Sequence, residues 1–456
     1  MDFNFKKVKK NSGAAMLVSV VFFLFISLAI ISGLVSPTVR EFKNSNDLIK
    51  SHQSQSLSES GVEDAYFRLK NARLIGNSET ITLNGNTATT IITDSGYNEK
   101  TISALGDVDS RQRTIKMILT TGKGVSFNYG IQVGQGGLDM SNLSKVIGNA
   151  YSSGNIIGTN LARIQGSAIV SGPTGIIEGM DIDGNAWSHT IKGTSTVGGN
   201  ATHSTLQDTI VTGNVVADSI SNCTIGGTAK YDTRLSCTVT GVTTTPNPDV
   251  FVPAAILPLP ISEAQIRLWE QEAEAGGIIG EQIFSSGTRS LGPIKINGNL
   301  DLSGTAELVV TGTIWVTGNI ELSNSAVLKL APGYGSSSGV VMAGLDESPI
   351  NGVIGIHNSA QILGSGTTGS YLMLLSQKEG TAADAIEITN TSSAAILYAG
   401  EGTIEIHNSA ALKEVTAYKL EITNSATVTY ESGLANTNFS SGPSGGWNIK
   451  SWKEVE

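Results

Sequence analysis

The sequence predicts a mainly β protein: a long N-terminal membrane-spanning α-helix, a small antiparallel sheet, and then β-solenoid (β-helix) repeats. Three observations predict it. An uncharged apolar run fills residues 14–35. The 456 residues include 53 glycines and only 15% charged side chains, which favours short strands and tight turns over helix. Related nine-residue segments recur through the second half of the chain. The balance is acidic, with 39 Asp and Glu against 29 Lys and Arg. Nucleic acid is therefore a poor partner, because neutralising phosphates needs a basic surface.

Residues 1–13 form a basic leader that carries Lys6, Lys7, Lys9 and Lys10. The run from Ala14 to Val35 follows, and 20 or so apolar residues suffice to span a bilayer. Lysines ahead of the span predict a cytoplasmic N-terminus and an exported body. A cleaved secretory signal is the rival, but its apolar region is shorter, about 7–15 residues, and ends at small residues. Helical spacing continues past the span through Val39, Phe42, Ile49, Leu57, Val62, Tyr66 and Leu69. One helix from Ala14 to Asn71, kinked near Pro37, accounts for both parts, within a segment bounded at 14–76.

Lys9-Lys10-Asn11-Ser12-Gly13, followed by Ala14-Ala15-Met16-Leu17-Val18, resembles the start of a PilX-type minor pilin. The stretch SLSESGVEDAYFRLKN, from Ser56 to Asn71, is similar to the second half of the long helix in that family. The resemblance covers about the first 75 residues. It implies cleavage between Gly13 and Ala14 by a prepilin-type peptidase, which leaves the apolar helix on the mature protein. It also implies pilus or pseudopilus subunits as partners. The chain departs from the major-pilin pattern at the fifth mature position, where Val18 stands in place of glutamate.

Residues 77–127 give short alternating runs, such as ETITLNG and RQRTIKMILTT, that predict a small antiparallel sheet packed on the helix. A first solenoid segment is expected at 128–242, where Gly-Asn-Ala-type triplets start at Gly148, Gly166, Gly184, Gly199 and Gly213. Residues 243–289 interrupt it with a proline-rich linker or strap and a helix at 262–275. Ser262 and Gln265 form a capping box there, and Gly276-Gly277 ends the helix. That helix is expected to divide two solenoid segments and to plug the end of one.

The second segment spans 290–456. Six copies of one frame start at Leu300, Ile320, Ile354, Ile386, Ile404 and Leu420. In most, offsets 0, 2, 6 and 8 are apolar or alanine, so alternation buries one face. The wide gaps after Ile320 and Ile354 hold GVVMAGL and SYLMLLSQ, which read as divergent rungs. Trp447, Ile449, Trp452 and Val455 are expected to close the last rung.

Asn324, Asn358, Asn390, Asn408 and Asn424 share offset 4 and predict a structural amide ladder in phase with the buried positions. Glu387, Glu405 and Glu421 share offset 1 and face outward, where repulsion could be relieved by a divalent cation. His357 and His407 share offset 3, without a third ligand at metal-site spacing. Asp181 and Asp183 are the nearest approach to a catalytic carboxylate pair. Cys223 and Cys237 are too few for zinc, and export favours a disulfide between them. No cofactor and no metal site are expected. The reading is a non-catalytic, membrane-anchored, exported structural protein at the cell surface or in a pilus. The alternatives are an adhesin that uses the solenoid face and a polysaccharide-active β-helix enzyme.

Overall fold

The computed structural model describes residues 12–70, 75–96, 99–121, 123–125, 127–345, 350–389, 395–431, 434, 437–439 and 447–455. The chain is mainly β: a long N-terminal helix, a small antiparallel sheet, and a β-solenoid. It forms two compact units, one of Met1–Arg68, Leu74–Leu119 and Ile449–Glu456, the other of Leu69–Arg73 and Thr120–Asn448.

In the first unit, helix α1 runs over Ser12–Lys70 with Pro37 inside it. Pro37 has no N–H to give the Gly33 carbonyl, and beside it Thr38 Oγ1 donates to the Leu34 carbonyl at 2.9 Å. The second half lies on a five-stranded sheet. Strands Ser78–Leu83, Asn86–Gly96 and Glu99–Val108 pair antiparallel in order. Small residues let the helix backbone approach. A side chain on Gly106 would meet the Ser54 carbonyl oxygen, and one on Gly61 would meet Thr90 and Ala104. Ser54 Oγ donates to that Gly106 carbonyl at 2.7 Å. Gly61, unfavourable by helix propensity, is therefore the point of contact with the sheet. The strand Trp447–Val455 joins this sheet beside Arg111–Thr121, so it does not close a solenoid rung as its position in the sequence suggested.

The second unit is a parallel β-solenoid. Its rungs have three faces, two contributed by one 24-stranded sheet and the third by smaller sheets. The stacking order differs from the chain order. The strand Ile131–Met140 begins the first array, and it pairs in parallel with Glu414–Ile422, which ends the second array. The strand Lys145–Ile147 pairs likewise with Thr427–Thr429. The chain therefore enters the stack in its middle, climbs to Thr243–Thr244, and returns outside it. It restarts at Ile278–Phe284 and climbs back to the point of entry.

The two segments expected from the sequence are thus one stack. A single interior column runs in register through Leu300, Ile320, Ile354, Ile386, Ile404, Leu420, Leu138, Ile156, Ile177, Ile191, Leu206 and Ile220. All of these side chains are buried. Each contributes about 1.5–3 kcal/mol of hydrophobic stabilisation, so the step from Leu420 to Leu138 buries the same kind of contact as the steps within each array.

The wide sequence gaps are not extra rungs. Ile320 pairs directly with Ile354, and Ile354 with Ile386. GVVMAGL and SYLMLLSQ supply the first face of the next rung through Gly339–Ala343 and Leu372–Ser376, which pair with each other. The described surplus residues lie in corner loops, one of them a 3-10 turn at Pro332–Tyr334.

Residues 245–261 form the strap. It crosses the first array through backbone carbonyls that accept from outward side chains of the first face. Trp187 Nε1 donates to the Val252 oxygen at 3.1 Å, Tyr151 Oη to that of Ala255 at 2.8 Å, and Gln132 Nε2 to that of Pro258 at 2.8 Å. Tyr398 Oη then takes the Ile261 oxygen at 2.9 Å. Helix α2 follows at Glu263–Ala275, capped by Ser262, whose hydroxyl accepts from the Gln265 amide. Its Trp269 and Ala273 are buried in a cluster with Trp315, Met342, Met373 and Tyr398, on the outer side of the first face. The helix covers a flank and does not plug an end, because its apolar stripe matches the bulky outward residues of those rungs.

Candidate functional site

Two regions carry features beyond packing: the apolar part of α1 and the corners and ridges of the solenoid. The lysines of the leader lie outside the described residues. The Gly13–Ala14 bond falls in the first turn of α1. Met16 through Val35 present exposed side chains, with a mean hydropathy of 2.9 over an 18-residue window, long and apolar enough to cross a membrane.

The asparagines at offset 4 do stack in one turn column. Asn358 Nδ2 donates to Asn324 Oδ1 at 3.4 Å, and Asn424 Nδ2 to Asn408 Oδ1 at 3.2 Å. Asn390 lies outside the described residues. The expected burial is not met: all four described members are exposed. The reason is backbone conformation. They sit at φ between 53° and 61°, so the turn interrupts the in–out alternation and swings the amide outward. Asparagine tolerates this left-handed region better than most residues, and Gly304 takes the same place in its rung.

The column continues across the join. Asn142 Nδ2 donates to Asn424 Oδ1 at 3.0 Å, and Asn160 Nδ2 to Asn142 Oδ1 at 2.8 Å. The sequence held the signal, since LDMSNLSKV from Leu138 and IIGTNLARI from Ile156 follow the frame of the second array. At another corner the Gly-Asn-Ala triplets stack. Asn185 Oδ1 accepts from the Asn200 amide and Asn200 Oδ1 from the Asn214 amide, both at 2.8 Å. Glycine precedes them because a side chain on Gly213 would lie 2.4 Å from the Gly199 oxygen.

The outward acids form a longer ridge than the three glutamates singled out. Asp301, Glu321, Gly355, Glu387, Glu405, Glu421 and Asp139 occupy successive rungs in register. Basic groups interleave with them. Lys419 Nζ reaches Glu421 at 2.5 Å and Asp139 at 3.6 Å, His407 Nε2 reaches Glu405 at 2.8 Å, and His357 Nε2 reaches Glu321 at 3.4 Å. Gly355 breaks the row because the Glu321 carboxylate and His357 ring occupy the space its side chain would need. Desolvation raises the carboxyls of Asp139, Asp301 and Glu321 above their ordinary range. Asp384 alongside is pushed up to about 6, by desolvation and then by Glu405, Glu387 and Glu421. Among the described residues, no group of three or more His, Cys, Asp or Glu is placed to hold a metal ion.

Asp181 and Asp183 flank buried Ile182 on one strand edge and share an outward side, as alternation requires. Each has a structural partner. Thr196 Oγ1 donates to Asp181 at 2.5 Å, and Arg163 meets Asp183 at 2.7 Å. Trp187 is the one exposed aromatic among the described residues of the solenoid unit.

Cys223 and Cys237 are bonded, with their Cα atoms 4.4 Å apart, and tie together two adjacent rungs at the upper end. Reduction should lower stability by about 3 kcal/mol, the value for a loop of this size in the chain-entropy model. Labelling of the denatured, unreduced protein should find no free thiol. Stoichiometric labelling of either cysteine counts against the bond.

No family model matches this chain, and no curated protein matches it. Among solved structures it matches the competence-associated pilin ComZ from Thermus thermophilus at 10% identity and a TM-score of 0.25. That alignment covers 89% of this chain and 97% of the pilin. A superposition so slight has no bearing on function. The class that the geometry defines is a β-solenoid protein with a long, apolar-tipped helix and a small antiparallel sheet.

Proposed function

We propose that this chain is a non-catalytic, minor-pilin-like structural component of a type IV pilus or pseudopilus-like assembly. Its N-terminal helix holds it in the membrane, and the solenoid is the exported body. One observation carries the reading: the apolar segment that follows Gly13–Ala14 is continuous with a helix whose second half packs on an antiparallel sheet. A cleavable signal has no reason to be the first half of a folded element. The solenoid supports a structural role, because its interior is filled with aliphatic side chains and four acids of its outward ridge, Glu321, Glu405, Glu421 and Asp139, pair with neighbouring His or Lys. A prepilin-type peptidase and other pilin subunits are the partners this reading requires.

Mass spectrometry of the mature protein, from cells with and without that peptidase, tests it. The expected N-terminus is Ala14, appearing only when the peptidase is present. An N-terminus beyond Pro37, or an uncut leader despite an active peptidase, overturns it.

A further inference from the structure

The solenoid has two open ends, and at each end one interior column stops on an arginine. At the upper end the aliphatic column stops at Ile220, and the next residue in register is Arg234. Its guanidinium turns across the end and donates to the Cys237 carbonyl through Nε, at 3.0 Å, and Nη2. At the lower end Arg289 stands in register beneath buried Leu308. Its guanidinium lies 4.3 Å from the Phe284 ring centroid and donates to Gln282 Oε1 at 3.3 Å. Gln282 itself stands beneath Leu300, where every rung above carries Leu or Ile until Arg234. The Leu300–Ile220 column thus turns polar at both limits and the Leu308 column at the lower one, while Val239 above and Phe284 and Leu291 below keep other columns apolar.

The molecule also shows what an unblocked end does. Glu414–Ile422 and Ile131–Met140 are two solenoid ends without a direct chain link, and they join in parallel register with Leu420 on Leu138. The terminal rungs offer the same arrangement to another copy. Both arrays climb in one direction with the same order of faces, so Thr243–Thr244, Thr233–Leu235 and Thr238–Val239 above correspond to Ile278–Phe284 and Thr288–Leu291 below. Edges of this kind are templates for strand addition, and an inward charge blocks them, because pairing would bury it without a counter-ion.

We propose that Arg234 and Arg289 are gatekeepers that keep a second copy of this chain from stacking head to tail on the solenoid. The contact is heterologous, upper end to lower end, so removing both arginines permits open-ended growth. This inference is independent of the pilin reading.

The test uses the detergent-solubilised full chain in two single variants, Arg234→Leu and Arg289→Leu, measured by sedimentation velocity separately and mixed. Only the mixture holds an upper end and a lower end that both lack arginine. It should gain a species of about twice the mass of either variant, because each partner keeps one blocked end. Each variant alone should sediment as the wild type, which also controls for association through α1. Circular dichroism and melting check that each is folded, and Arg→Met replacements, which keep the side-chain length, repeat the mixing if a leucine variant fails. A mixture that sediments as its components do, or single variants that associate as strongly as the mixture, overturns the proposal.

Discussion

Acidification from pH 6.5 to pH 3 should remove on the order of 4 kcal/mol from the solenoid through one residue, His203. The imidazole is fully buried in the first array, and neither ring nitrogen has a hydrogen-bond partner. Burial alone holds its pKa down at about 3. An unfolded histidine titrates near 6.5, so between these values the unfolded chain binds the extra proton. The stabilisation is complete above pH 6.5 and is lost as the pH falls towards 3. Replacement by leucine, of similar volume, should leave stability at pH 7.5 little changed. At pH 4 the variant should exceed the wild type by about 3 kcal/mol, the part of the shift lying above that pH. Urea titrations at the two pH values measure this. Equal stabilities at pH 4 would show that the buried ring carries no such cost. Glu414 acts in the opposite sense. Fully buried, with Oε2 unpartnered and Thr416 bonded to Oε1, it has its carboxyl raised well above the usual range by desolvation. Its stabilisation is present at low pH and is lost as the pH rises, so Glu414→Gln should stabilise the protein at neutral pH.

Leu138→Ala should cost about 3 kcal/mol, within the usual range for a large-to-small change in a core. The side chain is fully buried between Leu420 and Ile156. Position should matter beyond magnitude. At Ile191→Ala the rungs on either side remain neighbours in the chain, and the array should still melt as one. At Leu138 the change falls where the arrays meet by contact alone, and near-neighbour coupling is what makes such stacks cooperative. The Leu138 variant should therefore melt in two transitions, and Ile191→Ala in one. Calorimetry of both checks it, and a single sharp transition for Leu138→Ala would show that the join does not set cooperativity.

The alternating frame at Ile320, Ile354 and Ile404 was legible because a buried face imposes period two on the sequence. The disulfide was legible too, since an exported β region with two nearby cysteines leaves few other uses for them. The long helix and small sheet followed from an apolar run, its helical continuation and short alternating strands. Three things were hidden. The exposure of Asn408 and its neighbours depends on a positive φ that the sequence frame does not show. Arg163 and Thr196, and Lys419 in its contact with Asp139, reach acids on other rungs, and those contacts exist only once the register is set. The non-consecutive stacking was the largest omission, yet LDMSNLSKV matched the second array closely enough to reveal it. The Gly-Asn-Ala triplets drew attention to a different corner.

The strap sets a length. Between Thr244 and Ile261 it passes nine rung steps, counted along the first face from strand Thr243–Thr244 down to strand Ala395–His407, or about 43 Å at the ~4.8 Å strand spacing. Its 17 residues, numbered 245–261, reach about 56 Å at most when fully extended. Little slack remains once its bends are counted. A duplicated rung between Ala186 and Ala201 would stretch this tether, whereas one between Leu300 and Ile320 would fall under α2, which runs from the Ile261 anchor at Tyr398 down to the Glu274–Lys295 pair. Each added turn therefore requires added residues outside the stack, in the strap for the first array and around α2 for the lower rungs of the second.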